Sequence, residues 1–195
     1  MSLTRKISYG ITGGIGSGKS YVCARLKDMG YPVFCCDTEA KRIIRTDEHV
    51  RLALTRIVGK GLYDENGMLV KSRLAEFLCR GKESADRVNQ VVWPQVAEAF
   101  KQWELQQESR YVFMECALLF ESGFHQLTTH TVHVAAPREV RIRRVMERDK
   151  VNRATALRWL RLQMPERERR RRADYIINND GQTPLKPQIK SLIQG

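Results

Sequence analysis

The stretch GITGGIGSGKS, residues 10–20, is the part of the chain whose residue types and spacing most clearly carry chemistry. Gly13, Gly18, Lys19 and Ser20 fit the pattern G-x-x-x-x-G-K-[ST]. In this pattern the glycines let backbone N–H groups surround phosphate oxygens, the lysine reaches the β- and γ-phosphates, and the hydroxyl binds Mg²⁺. The stretch therefore predicts a loop that holds the polyphosphate of a nucleotide.

The segments around this loop favour that interpretation over a glycine turn that serves only geometry. KISYGIT, residues 6–12, has the composition of a strand, and YVCARLKDMG, residues 21–30, has helical spacing. Further β-prone runs occur at residues 31–37, 110–120, 130–137 and 173–181. Strands that alternate with helical stretches predict an α/β fold with a parallel β-sheet flanked by helices.

Two insertions interrupt this alternation, and we expect one domain whose core covers residues 1–40, 110–137 and 173–195. Residues 41–109 are helical in pattern, with Pro94 predicting a kink or break. Their apolar stripe is typical of a buried core and comprises Val88, Val92, Val96, Phe100 and Trp103. Residues 138–172 form the second insertion, in which arginine dominates.

Composition sets limits on the class of protein. With 195 residues and 42% hydrophobic content, the chain is long enough to bury a core. Its net charge of +12 indicates an anionic partner. The sequence contains neither a long apolar run nor a signal peptide, and its 5 cysteines lack the spacing of a zinc site. We therefore expect reduced thiols, a cytoplasmic location and no membrane partner.

The loop alone does not separate a kinase from other nucleotide-binding proteins. A GTPase is disfavoured because residues 178–181, NNDG, lack the lysine of the guanine-reading N-K-x-D segment. A small-molecule kinase needs a carboxylate near the acceptor hydroxyl and cations around the phosphoryl group. Asp37 is predicted at the carboxyl end of the second strand, where it is either that carboxylate or a helix N-cap.

The cations would come from the arginine-rich insertion. Arg141, Arg144 and Arg148 recur at a spacing that puts them on one helix face. Such a face is either solvated or part of a mobile lid that closes over ATP. The phosphate-binding loop favours the lid.

Five segments, in this order, resemble the dephospho-CoA kinases: GITGGIGSGKS, VFCCDTEA, ALLFESG, RRVMERD and ADYIINNDG. The resemblance extends over nearly the whole chain. It implies a P-loop kinase fold with a helical substrate-binding insertion and an arginine-rich lid. It also implies an activity, in which ATP with Mg²⁺ phosphorylates the ribose 3′-hydroxyl of dephospho-CoA to give coenzyme A and ADP. Nucleic acid is not an expected partner, and a monomer or weak homo-oligomer is expected.

The resemblance also assigns individual residues. Asp37 corresponds to the second aspartate of the family's D-x-D, the general base or a ligand of Mg²⁺-bound water, and Gln163 corresponds to the glutamine that follows the lid. The predicted catalytic residues are Lys19, Asp37, Arg144 and Arg148. The predicted nucleotide-binding residues are Gly13, Gly14, Ile15, Gly16, Ser17, Gly18, Lys19, Ser20 and Tyr21, with Ser20 on the metal. The predicted substrate-binding residues are Thr12, Asp37, Leu118, Leu119 and Glu121, although Glu121 could instead cap a helix.

Four positions depart from the family pattern. Cys35 replaces the first aspartate of D-x-D, Tyr21 replaces a threonine, Trp93 replaces a histidine and Ala117 replaces a proline. Two alternatives remain open at this point. One is a kinase of the same fold with another acceptor. The other is a nucleic-acid-binding ATPase, for which the net charge of +12 and the run RERRRR at residues 167–172 argue.

Overall fold

The computed structural model describes residues 6–194, which form two compact units. The first unit contains the described residues up to Cys35 and those from Gln106 onward, and the second is Cys36–Leu105. The elements in chain order are β1 (Ile7–Thr12), α1 (Lys19–Asp28), β2 (Val33–Cys35), α2 (Cys36–Thr46), α3 (Glu48–Val58), α4 (Lys71–Leu78), α5 (Lys82–Gln106), β3 (Tyr111–Glu115), β4 (His130–Ala135), α6 (Arg138–Asp149), α7 (Arg153–Arg161), α8 (Glu166–Arg172), β5 (Tyr175–Asn178) and α9 (Leu185–Gln194).

A five-stranded parallel sheet organises the first unit, which confirms the predicted fold class. The strand order is β2-β3-β1-β4-β5. The central strands are apolar and buried, as expected for a parallel sheet covered by helices on both faces. The rings of Tyr9 and Phe113, which are paired in the register of β1 and β3, stack with centroids 5.3 Å apart. Leu26 of α1 and Ile189 of α9 belong to the same core cluster.

The parallel register determines where functional side chains can meet. The carboxyl ends of all five strands lie at one edge of the sheet, the usual ligand-binding edge in such folds. β1 ends there at Thr12 and leads into the glycine-rich loop, while β3 ends beside it at Glu115. The predicted order of strand, loop and helix is confirmed, because α1 begins at Lys19.

A second, smaller cluster lies between α6 and α7. Ile142, Val145 and Ala156 are buried there, and Ile15 of the glycine-rich loop and Leu160 pack against them. The arginine-rich segment is therefore attached to the loop by apolar contact as well as by its charges.

The second unit is helical and contains α2 to α4 and nearly all of α5. The predicted core stripe is confirmed for Val88, Val92, Val96 and Phe100, which are all buried. Of the kink or break predicted at Pro94, the break is wrong, since α5 continues through this residue. The φ angle of proline is already helical, and the apolar stripe continues on both sides of the lost N–H. None of the helices formed by residues 6–194 combines the length and apolar character needed to cross a bilayer.

Candidate active site

The loop between β1 and α1 has the backbone geometry of an anion-binding turn. Gly16 and Gly18 adopt left-handed conformations, with φ of 76° and 84°, and the N–H of Ser17 donates to the carbonyl of Gly14 at 3.0 Å. No side chain caps the start of α1, where Gly18 is the N-cap. The first N–H groups of this helix and its positive dipole end are therefore directed at whatever anion the loop holds.

Close neighbours explain why side chains are excluded from this loop. A β-carbon on Gly14 would collide with the Arg141 guanidinium, and one on Gly18 would collide with the side-chain amide of Asn179. Because Gly14 and Gly18 lack a β-carbon, the side chains of Arg141 and Asn179 can approach the loop backbone closely.

Arg144 and Asn179 hold the carbonyl side of the loop. Nη1 of Arg144 donates to the carbonyl oxygens of Gly16 at 3.4 Å, Ser17 at 3.3 Å and Asn179 at 3.0 Å. Nδ2 of Asn179 donates to the Ser17 carbonyl at 2.8 Å. These donors engage the oxygens that would otherwise repel a phosphate. The predicted lid residue Arg144 therefore contacts the loop itself.

Both the N–H and the carbonyl group of Ile15 form hydrogen bonds with side chains of the arginine-rich segment. Its carbonyl accepts from Nε of Arg141 at 3.0 Å, and its N–H donates to Oε1 of Gln163 at 2.7 Å. Arg141 comes from α6, and Gln163 lies between α7 and α8. The two side chains fix the middle of the loop.

A buried ionic network supports Arg141 from behind. Nη1 of Arg141 donates to Oε2 of Glu166 at 3.0 Å, and Nε2 of the fully buried His133 lies 2.8 Å from Oε1 of Glu166. Burial raises the pKa of Glu166, but the hydrogen bond and charge of His133 and the charges of Arg141 and Arg170 outweigh this and hold it below the usual range. Glu166 therefore remains ionised and fixes the guanidinium beside the loop.

Lys19 and Ser20 converge on one carboxylate. Nζ of Lys19 lies 2.5 Å from Oε1 of Glu115, to which the Ser20 hydroxyl also donates at 2.8 Å. Burial raises the pKa of Glu115, but the charge of Lys19 and hydrogen bonds from Lys19, Ser20 and Cys35 lower it below its usual range. Cys35, the departure from the family's first aspartate, is thus a hydrogen-bond partner of Glu115.

The position predicted for Asp37 requires correction. Strand β2 ends at Cys35 and helix α2 begins at Cys36, so Asp37 is neither the last residue of the strand nor the N-cap of the helix. It is an exposed residue in the first turn of α2, within the second unit. An acidic residue in the first helical turn interacts favourably with the helix dipole. The catalytic role of Asp37 stays a prediction.

The outer arginines of the insertion form ion pairs with neighbouring acids. Arg148 makes two hydrogen bonds to Asp149, and 63% of its side chain is exposed. In the run at residues 167–172, Arg170 and Arg171 pair with Glu166 and Glu168, and Arg172 lies over the Phe120 ring. The run is therefore not a row of free cations, which weakens the interpretation as a nucleic-acid-binding surface.

The predicted acceptor-side residues differ in exposure. Thr12 is buried, and its hydroxyl donates to the Ala117 carbonyl at 3.2 Å. Leu118 is 44% exposed and Glu121 is exposed, whereas Leu119 is fully buried beside Gly10. Leu119 therefore packs in the core of the first unit, and its predicted role on the substrate side stays a prediction. The roles of Thr12, Leu118 and Glu121 stay predictions.

A cavity of about 530 Å³ adjoins the loop at the start of α1. Tyr21 and Arg25 line it from α1, and residues Asn179 to Ile189 line it from the turn before α9 and from that helix. Tyr21 is 52% exposed, and the Arg25 guanidinium lies 5.1 Å from its ring centroid. Another cavity of about 560 Å³ lies within the second unit, beside Arg51 and Tyr63.

The sequence analysis did not single out Glu115, Glu166, Arg169 or Asn179 as residues of the site, and it named Arg141 only as part of a cationic helix face. Glu115 had a usable signal, because an acidic residue at the carboxyl end of a buried parallel strand lies at the ligand edge. The others depend on contacts between residues far apart in sequence, such as the hydrogen bond between Asn179 and Ser17, which are separated by 162 residues.

Among the described residues no three His, Cys, Asp or Glu side chains form a metal cluster. Cys23 is buried, which raises the pKa of its thiol.

The parallel sheet, the glycine-rich loop and the cluster of cations around it define a P-loop kinase. The family model described as Dephospho-CoA kinase matches residues 7–184, so the chain belongs to the dephospho-CoA kinase family. A dephospho-CoA kinase of Bacteroides fragilis (strain YCH46) is 41% identical over 188 residues, covering 96% of this chain and 91% of the relative.

Solved structures share the fold. The crystal structure of TT1252 from Thermus thermophilus superposes with a TM-score of 0.84 at 35% identity and covers 97% of each chain. Shikimate kinase from Acinetobacter baumannii shares the fold, with a TM-score of 0.57, 17% identity and coverage of 99% of this chain and 94% of the other. The predicted family, fold class and kinase activity are thereby confirmed.

Proposed function

We propose that this enzyme transfers the γ-phosphoryl group of ATP to the ribose 3′-hydroxyl of dephospho-CoA, giving coenzyme A and ADP, the last step of coenzyme A biosynthesis. The observation that carries the proposal is the convergence of Lys19 and Ser20 on Glu115 at the glycine-rich loop, in a chain that the family matches over residues 7–184. The loop indicates where the phosphates bind, and membership of the family indicates that the acceptor is dephospho-CoA.

ATP fits the described geometry of the first unit. Its nucleoside is assigned to the cavity lined by Tyr21 and the residues from Asn179 to Ile189. Its phosphates follow the loop N–H groups and the positive end of α1. Lys19 adds the point charge that a P-loop lysine gives to the outer phosphates.

Mg²⁺ fits the donor set at this site. Magnesium prefers oxygen ligands and is usually held by one or two carboxylates together with phosphate oxygens and water. The Ser20 hydroxyl and the Glu115 carboxylate, whose oxygens lie 2.8 Å apart, are the residues that would hold it. When bound, the ion would neutralise charge on the β- and γ-phosphate oxygens.

The transfer makes one bond and breaks another. The acceptor oxygen bonds to the γ-phosphorus as the bond to the bridging β–γ oxygen breaks, and the hydroxyl proton passes to a base, for which we propose Asp37. Arg144 and Arg148 are proposed to stabilise charge on the transferred group. We further propose that the protein acts in the cytoplasm as a monomer or weak homo-oligomer, in keeping with its five free cysteines.

Acceptor competition tests the proposal. ADP release is measured with dephospho-CoA, adenosine, AMP and shikimate, each over a range of concentrations, and the specificity constants are compared. Dephospho-CoA is expected to exceed the others by at least about 10²-fold, because its pantetheine and pyrophosphate give binding energy that the smaller acceptors lack. Equal turnover on another acceptor would overturn the assignment of the substrate.

The proposed base is tested by Asp37→Asn. Asparagine keeps the shape of the side chain but cannot accept the proton, so turnover is expected to fall roughly 10²- to 10⁴-fold while ATP affinity and melting temperature stay near wild type. Asp47→Asn is the matched control, since Asp47 is the N-cap of α3 and asparagine caps about as well as aspartate. Near-normal turnover of the Asp37 variant would leave that residue with a purely structural role.

A further inference from the structure

Arg169 of α8 is buried without a partner. Its relative exposure is 2%, and its side chain makes neither a hydrogen bond nor an ion pair with the part of the chain that the structure describes. Its Nε is one of the buried side-chain nitrogens for which the structure provides no acceptor. A guanidinium has five N–H donors, and leaving the buried Nε donor unsatisfied is costly. Such a group requires an explanation.

The position of Arg169 indicates what it faces. A β-carbon on Gly14 would lie 3.1 Å from Nη1 of Arg169 and would also collide with Arg141, so two guanidinium groups face the same residue of the loop. Glu166 is already engaged by His133 and Arg141. Burial lowers the pKa of Arg169, and the charge of Arg141 adds to this effect, while Glu121 and Glu166 oppose it. Positive charge is therefore in excess at this end of the loop.

The rest of the site gives the direction in which a nucleotide would lie. The cavity assigned to the nucleoside is at the α1 end of the loop, beside Tyr21 and Asn179. Starting there, the phosphate chain passes Gly18 and Lys19 and proceeds towards Gly14, which is nearer to β1. The outermost phosphate is thus the one that comes closest to Arg169.

We propose that Arg169 is the residue that binds the terminal phosphoryl group of the nucleoside triphosphate and distinguishes ATP from ADP. This inference rests on the nucleotide part of the proposed function and is independent of the acceptor. Guanidinium N–H groups bind phosphate oxygens in pairs, so the unpartnered donors of Arg169 suit a dianionic terminal phosphate. The same contact strengthens as negative charge spreads over the oxygens of that phosphate during transfer.

A structural role makes the opposite prediction about stability. If Arg169 stabilised the fold through its attraction to Glu121, its replacement by an apolar residue of similar length would lower the melting temperature. An unpaired buried charge behaves differently, because an apolar side chain in its place removes a cost. Stability and nucleotide affinity of a single variant therefore separate the two roles.

The experiment uses Arg169→Met, with Arg171→Met as the matched control because Arg171 is an exposed neighbour on α8 paired with Glu168. Affinities for ADP and for a non-hydrolysable ATP analogue are measured by calorimetry without an acceptor, and melting temperatures are measured without nucleotide. In Arg169→Met the affinity for the ATP analogue is expected to fall at least tenfold and that for ADP less than threefold, with an unchanged or raised melting temperature. Arg171→Met is expected to match wild type.

The other outcomes are equally informative. Parallel losses for both nucleotides, or a lowered melting temperature with an unchanged preference for the ATP analogue, would overturn the assignment. If Arg169→Met does not fold, Arg169→Lys retains the charge but not the paired donors. Its ATP-analogue affinity is then expected to fall at least threefold with ADP unaffected, and an unaltered ratio would overturn the assignment. Because no acceptor is present, failure of the enzyme to use dephospho-CoA would leave this result intact.

Discussion

Two groups of arginines in α6, α7 and α8 differ in their contacts, and the sequence does not separate them. The inner arginines, Arg141, Arg144 and Arg169, lie against the glycine-rich loop. Arg141 and Arg144 donate to backbone carbonyls of the loop, and Arg141 also pairs with Glu166, whereas Arg169 lies beside Gly14. The outer arginines pair with a nearby acid at the surface and comprise Arg148, Arg153 and Arg171. Tertiary contacts, and not residue type, decide which arginines lie against the loop.

Protonation equilibria reflect the same difference. Burial lowers the pKa of Arg141 and Arg169, so the fold keeps these charges at a cost. The hydrogen bonds that Arg148, Arg153 and Arg171 donate to nearby carboxylates raise the pKa of these outer arginines. Buried charges that are kept beside a phosphate-binding loop, despite the free energy that their burial costs, are typical of a functional site. Exposed ion pairs, by contrast, contribute little to stability.

Among the cations of the site, the largest expected effect comes from the loop lysine. Lys19→Met removes the charge that reaches the outer phosphates, so turnover is expected to fall by roughly 10²- to 10³-fold or more. Lys27→Met, at an exposed position of the same helix, is the control and should be indistinguishable from wild type. Steady-state assays and melting curves on both variants provide the measurement. If Lys19→Met kept its turnover and only the control Lys27→Met lost it, the assigned loop geometry would be contradicted.

The next effect separates an inner arginine from an outer one. Arg144→Ala leaves the carbonyls of Gly16, Ser17 and Asn179 without this donor, so both turnover and melting temperature are expected to fall, turnover by about 10²-fold. The melting temperature of Arg148→Ala is expected to stay within about 1 °C of wild type. Its turnover is expected to fall about tenfold, because Arg148 is proposed to stabilise charge on the transferred phosphoryl group. Equal losses of melting temperature in the two variants would remove the distinction between the groups.

Glu115→Gln probes the charge that faces the loop cations, with an expected loss of turnover of about tenfold. Its sharper readout is the pH dependence of stability. The folded-state pKa of Glu115 lies below its ordinary value, so the ionised group stabilises the fold above the unfolded-state pKa of about 4.3, and this contribution is lost as the pH falls through the folded-state value. Urea melts between about pH 6 and pH 3 are therefore expected to show a steeper fall for wild type than for the variant. Parallel profiles would contradict the ion pair with Lys19.

Features that depend on residues close in sequence could be predicted, whereas contacts between residues far apart in sequence could not. The glycine-rich loop was predictable because its residues are contiguous and their spacing reports local backbone geometry. The parallel sheet was predictable because buried strands alternate with helical stretches. Glu115 was missed because 96 residues separate it from Lys19, and Arg169 because nothing local distinguishes it within RERRRR. The end of β2 was misplaced because the apolar run continues into Cys36, which already belongs to α2.

The smallest expected effect is at the outer pair of Arg153 and Glu139. Arg153 makes two hydrogen bonds to Glu139, and their side chains are 54% and 66% exposed. Water and salt screen such a pair, and ordering two long side chains offsets the attraction. Arg153→Ala is therefore expected to leave turnover within twofold of wild type and the melting temperature within about 1 °C, at about 0.05 M and about 0.5 M salt alike. Glu139→Ala is the control for the pair, because a contribution of the ion pair itself would appear in both variants and would fade at high salt. If Arg153→Ala instead lost tenfold in turnover while Glu139→Ala did not, the guanidinium would have a partner in the reaction other than Glu139, and Arg153 would have to be grouped with the inner arginines.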